Sequence, residues 1–215
     1  MSAKIPRAKA NADAVYGARS RDELETIYDR WAGEYDEDAS DYFGYLGPEL
    51  AVERFERLVP KDARILDAGA GTGRLGRLLF NAGYRNLTGF DLSRGMLAQA
   101  ESLGVYQALH HMALGETLGF ADNSFDATAC IGTLTTGHAP AEGIDELIRV
   151  TRGGGLIVVS LNLDTYAADG IKDRIDHLIA EQEWALVEGS GPLQIMPRGE
   201  PDMRHEICVY RVGPE

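Results

Sequence analysis

Two cysteines in 215 residues are too few for a disulfide framework, and Cys130 and Cys208 fall in apolar stretches where buried, reduced thiols are expected. No apolar run approaches the roughly 20 residues that a membrane span requires. Residues 1–20 lack the continuous apolar stretch of a signal peptide, so a cytoplasmic protein with a flexible start over residues 1–19 is expected. Basic residues are scarce, 21 Lys and Arg against 34 Asp and Glu, for a formal charge of −13. Phosphate neutralisation needs cations, which argues against nucleic acid as a partner. The acidity suits a solvated surface, and it would also attract a cationic amine. His110, His111, His177 and His205 show no ligand spacing, so no metal is expected.

What the chain does have is alternation. Ser20-Arg21-Asp22-Glu23 has capping-box spacing and opens a helix to about Tyr35, and Leu50, Val52, Phe55, Leu58 and Val59 form an apolar helical face after Pro48. Strands are expected at 64–68, 87–90, 105–109, 125–132, 156–161, 184–188 and 207–212. Helices are expected from about Arg74 to Ala82 and from Ser93 to before Gly104, Asn123-Ser124 turns the chain into the fourth strand, the next helix carries Pro140 in its first turn, and another spans 169–182. The Gly153-Gly154-Gly155 triplet is expected to break a helix before the fifth strand. This pattern predicts an α/β fold, a doubly wound, mostly parallel sheet of seven strands. Helices fill residues 20–60 and the sheet core fills 61–215. In such sheets ligands bind beyond the carboxyl ends of the strands.

The turn after the first strand, Asp67-Ala68-Gly69-Ala70-Gly71-Thr72-Gly73, puts a carboxylate at the strand end and three alternating glycines behind it. Such glycines let the backbone approach a ligand closely. Gly71 to Gly76 also fits the spacing of a dinucleotide fingerprint. A pyrophosphate beside Asp67 is unfavourable, however, whereas a cationic amine and sulfonium are favourable there. Asp91, at the end of the second strand, stands where an acid accepts ribose hydroxyls, a role common to both nucleoside classes. Tyr28, Trp31 and Tyr35 share one helical face, either as a packing stripe or as part of a lid over the site. His138 is the one histidine in a loop on this edge and is the candidate general base. Tyr166 and Arg198 are further candidates for capping an acceptor pocket.

The segments ILDAGAGTG, GFDLS and FADNSFDA resemble the successive motifs of class I S-adenosylmethionine-dependent methyltransferases, across most of residues 20–212. YDRWAGEYD, SRGMLAQA and IGTLTTGHAP are similar to a narrower group, with a human member from the Williams–Beuren syndrome region and bacterial relatives. The resemblance implies a Rossmann-like core with an N-terminal helical lid. Its cofactor would be S-adenosyl-L-methionine, with S-adenosyl-L-homocysteine as product. Asp67, Gly69 and Gly71 would hold the methionine end and Asp91 the ribose, with Ala70, Thr72 and Gly73 also binding the cofactor. Leu92 and Met96 would lie near the adenine, Gly132 would flank the cofactor, and Ser93, Leu114, Gly115 and Ile131 are further cofactor-binding candidates, as are Tyr28, Trp31 and Tyr35 if their helix is a lid. The acidic residue that often reads the adenine amino group falls here near Leu114, with Glu116 close by. The expected reaction is methylation of a small-molecule acceptor. A binding-only protein and a nicotinamide-dependent oxidoreductase are the alternatives, although the latter's Tyr-x-x-x-Lys pair is absent.

Overall fold

Strand alternation builds the centre of the molecule. Ile65 and Leu66 are both fully buried, yet they belong to different apolar clusters, because successive strand side chains point to opposite faces. Ala127 and Ala129 against Cys130, and Leu156 and Val158 against Ile157 and Val159, divide in the same way. A sheet buried on both faces follows, with helices on each.

The computed structural model of the protein describes residues 4–135 and 138–213. Among these, helices α1 (Lys4–Gly17), α2 (Arg21–Trp31), α3 (Tyr35–Asp38) and α4 (Gly47–Leu58) precede the sheet, with a π-helical turn at Ala39–Phe43. The core then runs β1 (Arg64–Ala68), α5 (Arg74–Asn81), β2 (Asn86–Asp91), α6 (Arg94–Ser102), β3 (Ala108–His111), β4 (Phe125–Cys130), α7 (Gly143–Val150), β5 (Thr151–Asn162), α8 (Ile171–Ala180), β6 (Trp184–Gly189) and β7 (His205–Val212). The seven strands lie in the order β3-β2-β1-β4-β5-β7-β6, with β7 antiparallel to both neighbours and the remaining pairs parallel. The strand order reverses between β1 and β4, which opens a crevice at their carboxyl ends. This is the doubly wound sheet expected from the alternation.

Several boundaries differ from the expectation. Residues 4–17, expected as a loose start, form α1, whose Ala8, Ala12 and Val15 pack with Leu24, Trp31 and Phe43. Small residues at helical spacing allow this close approach. The third strand begins at Ala108 rather than Val105, since Tyr106 turns inward to meet Asp67 and the Gln107 N–H bonds the Leu87 carbonyl before pairing starts. The glycine triplet lies inside β5. There the register against β4 jumps from Phe125↔Thr151 to Ala127↔Leu156, so the glycines absorb a bulge. Pro140 sits in the turn leading to α7, where its carbonyl accepts from the Gly143 N–H, and not in the helix itself. Ser20 does cap α2, its hydroxyl accepting from Glu23 N–H at 3.2 Å.

The face of the sheet carrying α4 and α5 is locked by Tyr84, fully buried, whose hydroxyl bonds the Phe55 and Val59 carbonyls at the end of α4, at 2.6 and 3.0 Å. Tyr84→Phe keeps the ring and removes the one hydroxyl proton that the two carbonyls share, although the Phe55 carbonyl keeps its bond from Val59 N–H. A loss of about 1–2 kcal/mol in urea unfolding, with an unchanged denaturant slope, is expected.

Candidate active site

The loop between β1 and α5 owes its shape to the end of β2. Gly69 N–H and Ala70 N–H both bond the Phe90 carbonyl at 2.9 Å, and Gly71 N–H bonds Asp91 Oδ2 at 2.8 Å. Gly69 (φ 79°) and Gly71 (φ 54°) lie in the left-handed region, where only glycine is at ease. A Cβ on Gly71 would meet nothing within 4 Å, so open space stands directly over the loop.

That space is a cleft of about 1020 Å³, its open mouth included. Of the residues expected to bind a cofactor, it gathers Tyr28, Tyr35, Asp67, Gly69, Ala70, Gly71, Thr72, Asp91, Leu92, Met96, Leu114, Ile131 and Gly132, together with His138. Four expected residues do not line it, each for a visible reason. Trp31 is buried, its Nε1–H donating to Asp38 Oδ2 at 2.9 Å. Gly73 is the N-cap of α5 and faces Ala100 and Leu103. Ser93 is fully buried, and its Oγ accepts from Met96 N–H while donating to Asp29. Gly115 faces Pro140. Tyr166 packs on the core below the sheet and Arg198 bonds the Ser40 carbonyl, so neither reaches the cleft. Met112 and Ala113, not singled out in the sequence, line it beside Leu114, while Glu116 pairs outward with Arg21.

Two carboxylates line the cleft beside the glycine loop. Asp67 is buried and accepts from the Tyr106 hydroxyl at 2.6 Å. Burial raises its pKa to about 7, against the lowering effect of that hydrogen bond. Burial likewise raises Asp91, although N–H bonds from Ser93 and Gly71 oppose the shift. Tyr106 was missed because Val105-Tyr106-Gln107 reads as a strand.

The N-terminal helices touch the four loops that follow β1 to β4. Thr72 Oγ1 donates to Asp36 at 2.5 Å after β1. Asp29 accepts from Ser93 Oγ at 2.6 Å and Gly95 N–H at 2.8 Å after β2, bonds that hold its pKa low despite the burial that pushes it up. Arg21 pairs with Glu116 after β3. Tyr28 Oη and His138 Nε2 share a 2.6 Å hydrogen bond after β4. The aromatic stripe proves both packing and wall: Tyr28 stacks on Trp31 at 6.2 Å and Trp31 meets Tyr35 edge-on at 4.9 Å, yet only the two tyrosines face the cleft. Among the described residues no His, Cys, Asp or Glu cluster suits a metal ion.

Residues 66–159 match the methyltransferase domain family. Human methyltransferase-like protein 27 is 37% identical over 160 residues, which cover 73% of this chain and 64% of the human protein. Residues 66–159 thus form a domain of the class I S-adenosylmethionine-dependent methyltransferase type. Demethylmenaquinone methyltransferase of Chlorobaculum parvum is 27% identical over 68% of this chain and 63% of its own length. The chain therefore spans less than two thirds of the length of either relative. The crystal structure of the [4+2]-cyclase SpnF shares the fold with a TM-score of 0.71, at 15% identity over 92% of this chain and 98% of SpnF.

The residues present fit the family's cofactor, S-adenosylmethionine. The open cradle over Gly71 gives the backbone close access to it, and two carboxylates suit its cationic and hydroxyl-bearing parts. They do not suit a pyrophosphate, which agrees with a methyltransferase over the dinucleotide alternative.

The raised pKa of Asp67 has a measurable consequence. The folded protein keeps the Asp67 proton up to about pH 7, whereas an unfolded chain releases it near pH 3.9. Unfolding therefore releases a proton between these values, and stability falls as pH rises through that window. Asp67→Asn is expected to flatten the fall between about pH 4 and 7 in chemical denaturation of the ligand-free protein. Parallel profiles for the two proteins would refute the assignment.

Proposed function

We propose that the protein transfers a methyl group from S-adenosylmethionine to a small-molecule acceptor, with His138 beside the reacting atoms. The observation that carries this reading is the junction of two spaces. The glycine-loop cleft adjoins a second cavity, and Tyr28, Tyr35, Tyr45, Gly132 and His138 line both.

In this reading the Asp91 carboxylate accepts the ribose hydroxyls, since each of its oxygens already holds a backbone N–H and keeps a further lone pair. Asp67 faces the amino end of the cofactor, and Leu92, Met96 and Leu114 enclose the adenine. The bound cofactor supplies an electrophilic methyl group on a sulfonium. The chain's task is then positioning, because displacement needs the acceptor lone pair in line with the bond that breaks. His138, held by the Tyr28 hydroxyl, orients the acceptor and receives its proton where the acceptor carries one.

Two observations support a small acceptor. The cavity beyond the junction is walled by the chain's own helices, and the acidic surface disfavours nucleic acid. The similarity to demethylmenaquinone methyltransferases points the same way. No described helix is long and apolar enough to cross a membrane, and we place the reaction in the cytoplasm.

Calorimetric titration tests the cofactor without knowledge of the acceptor. S-adenosylmethionine and S-adenosylhomocysteine should bind and NADH should not. Asp91→Ala should weaken both sulfur nucleosides at least about tenfold, through loss of a charge-assisted pair of hydrogen bonds. Tight NADH binding, or an indifferent Asp91→Ala, would reject this reading. Once an acceptor is in hand, His138→Ala should lower turnover about 10²-fold or more with little change in cofactor affinity. Equal turnover would make His138 a bystander.

A further inference from the structure

The second cavity encloses about 740 Å³, its open mouth included. Helix α1 roofs it with Ala12, Val15 and Tyr16, and Trp31, Phe43, Ile195 and Met196 complete an aromatic and aliphatic wall. None of its described lining residues is Asp, Glu, Lys or Arg. The formal charge of −13 thus resides elsewhere, and the cationic amine that such acidity would attract finds no carboxylate inside. Asp38, buried beneath the lid, is already engaged by Arg7 at 2.5 Å and Trp31 at 2.9 Å and does not line the cavity.

The polar groups that do face this space are hydroxyls, an indole, an amide and two imidazoles. The Tyr45 hydroxyl is buried at the junction of the two spaces and has no hydrogen-bond partner among the described residues. His205, 7% exposed, lines this cavity and not the cleft, and its Nδ1 is buried and likewise unpartnered. Burial lowers the His205 pKa to about 4, so its ring is neutral near pH 7. Ser160 and Asn162 add hydrogen-bonding groups from the end of β5. A buried polar atom without a partner is costly, and a ligand that supplies one is recognised by it.

We propose that this cavity is the acceptor site and takes an uncharged, flat, largely apolar molecule bearing a hydroxyl group, of the phenol or naphthol class. The assignment rests on the methyl-transfer reading for the word acceptor, but not for the chemistry of the ligand. Aromatic walls favour a ring, since stacked and edge-on contacts add to simple burial. The absence of lining charges disfavours an ammonium or a carboxylate, which would lose its water without gaining a counter-ion. The orphan Tyr45 hydroxyl and the Tyr28–His138 pair put hydrogen-bonding capacity for a hydroxyl where the two spaces meet.

The test uses three probes of one shape, 2-naphthol, 2-naphthoate and (naphthalen-2-yl)methylamine, titrated into the full chain with and without S-adenosylhomocysteine. We expect 2-naphthol to bind, and the anion and the cation to bind at least about tenfold more weakly, for want of a counter-ion. Ala12→Trp, which fills the cavity from α1, should weaken 2-naphthol at least about tenfold by steric exclusion while S-adenosylhomocysteine affinity stays within about twofold. Met196→Trp narrows the same space from another wall and carries the test should Ala12→Trp not fold. Binding of the ammonium as tightly as 2-naphthol, no 2-naphthol binding to a chain that binds S-adenosylhomocysteine, or 2-naphthol binding indifferent to the folded variants would each overturn the proposal. Naphthol binding without any binding of S-adenosylhomocysteine would uphold the ligand class and remove the methyl-transfer reading.

Discussion

The active edge depends on the last two residues of β2. The Phe90 carbonyl and the Asp91 carboxylate together hold three successive N–H groups of the glycine loop. A loop in left-handed backbone has no internal ladder to satisfy it, so its donors must find acceptors on a neighbour. The parallel pairing of β1 with β2, which sets Ala68 opposite Phe90, brings those acceptors within reach. Asp91 therefore shapes the cleft as well as facing it. Its side chain belongs to the scaffold before any nucleoside arrives.

The N-terminal helices depend on the same edge at one remove. Asp36, Asp29, Arg21 and Tyr28 each reach one of the four loops, so the lid registers against all of them at once. Three of these links are part-buried side-chain hydrogen bonds and the fourth, Arg21 with Glu116, is an exposed ion pair of little individual strength. The apolar cluster of α1, Trp31 and Phe43 supplies the burial that keeps them together. A lid of this kind is fixed in register by polar bonds and in position by packing.

The sheet was legible because its strands obey a single rule. Buried runs such as Leu156 to Leu161 flanked by glycine admit few alternatives, and Asp67 with its glycines announces a ligand loop by composition alone. Legibility failed where a side chain serves two masters. Tyr106 has the profile of a strand residue, yet its hydroxyl is needed at Asp67. Ser93 and Gly73 carry motif positions but are consumed by helix caps. Trp31 shares a helical face with Tyr28 and Tyr35, and only the path of the chain after Gly33 decides that it turns into the core. Tyr45 and His205 lie 160 residues apart in sequence and meet around one cavity, which no local pattern encodes.

The party wall of Tyr28, Tyr35, Tyr45, Gly132 and His138 has a thermodynamic corollary. A guest on one side that shifts any of these groups alters the room offered on the other. By linkage, whatever one guest does to the affinity of its neighbour is returned in equal measure. Where a guest does shift these groups, the affinity of either chamber, measured in isolation, describes half of a reciprocal system.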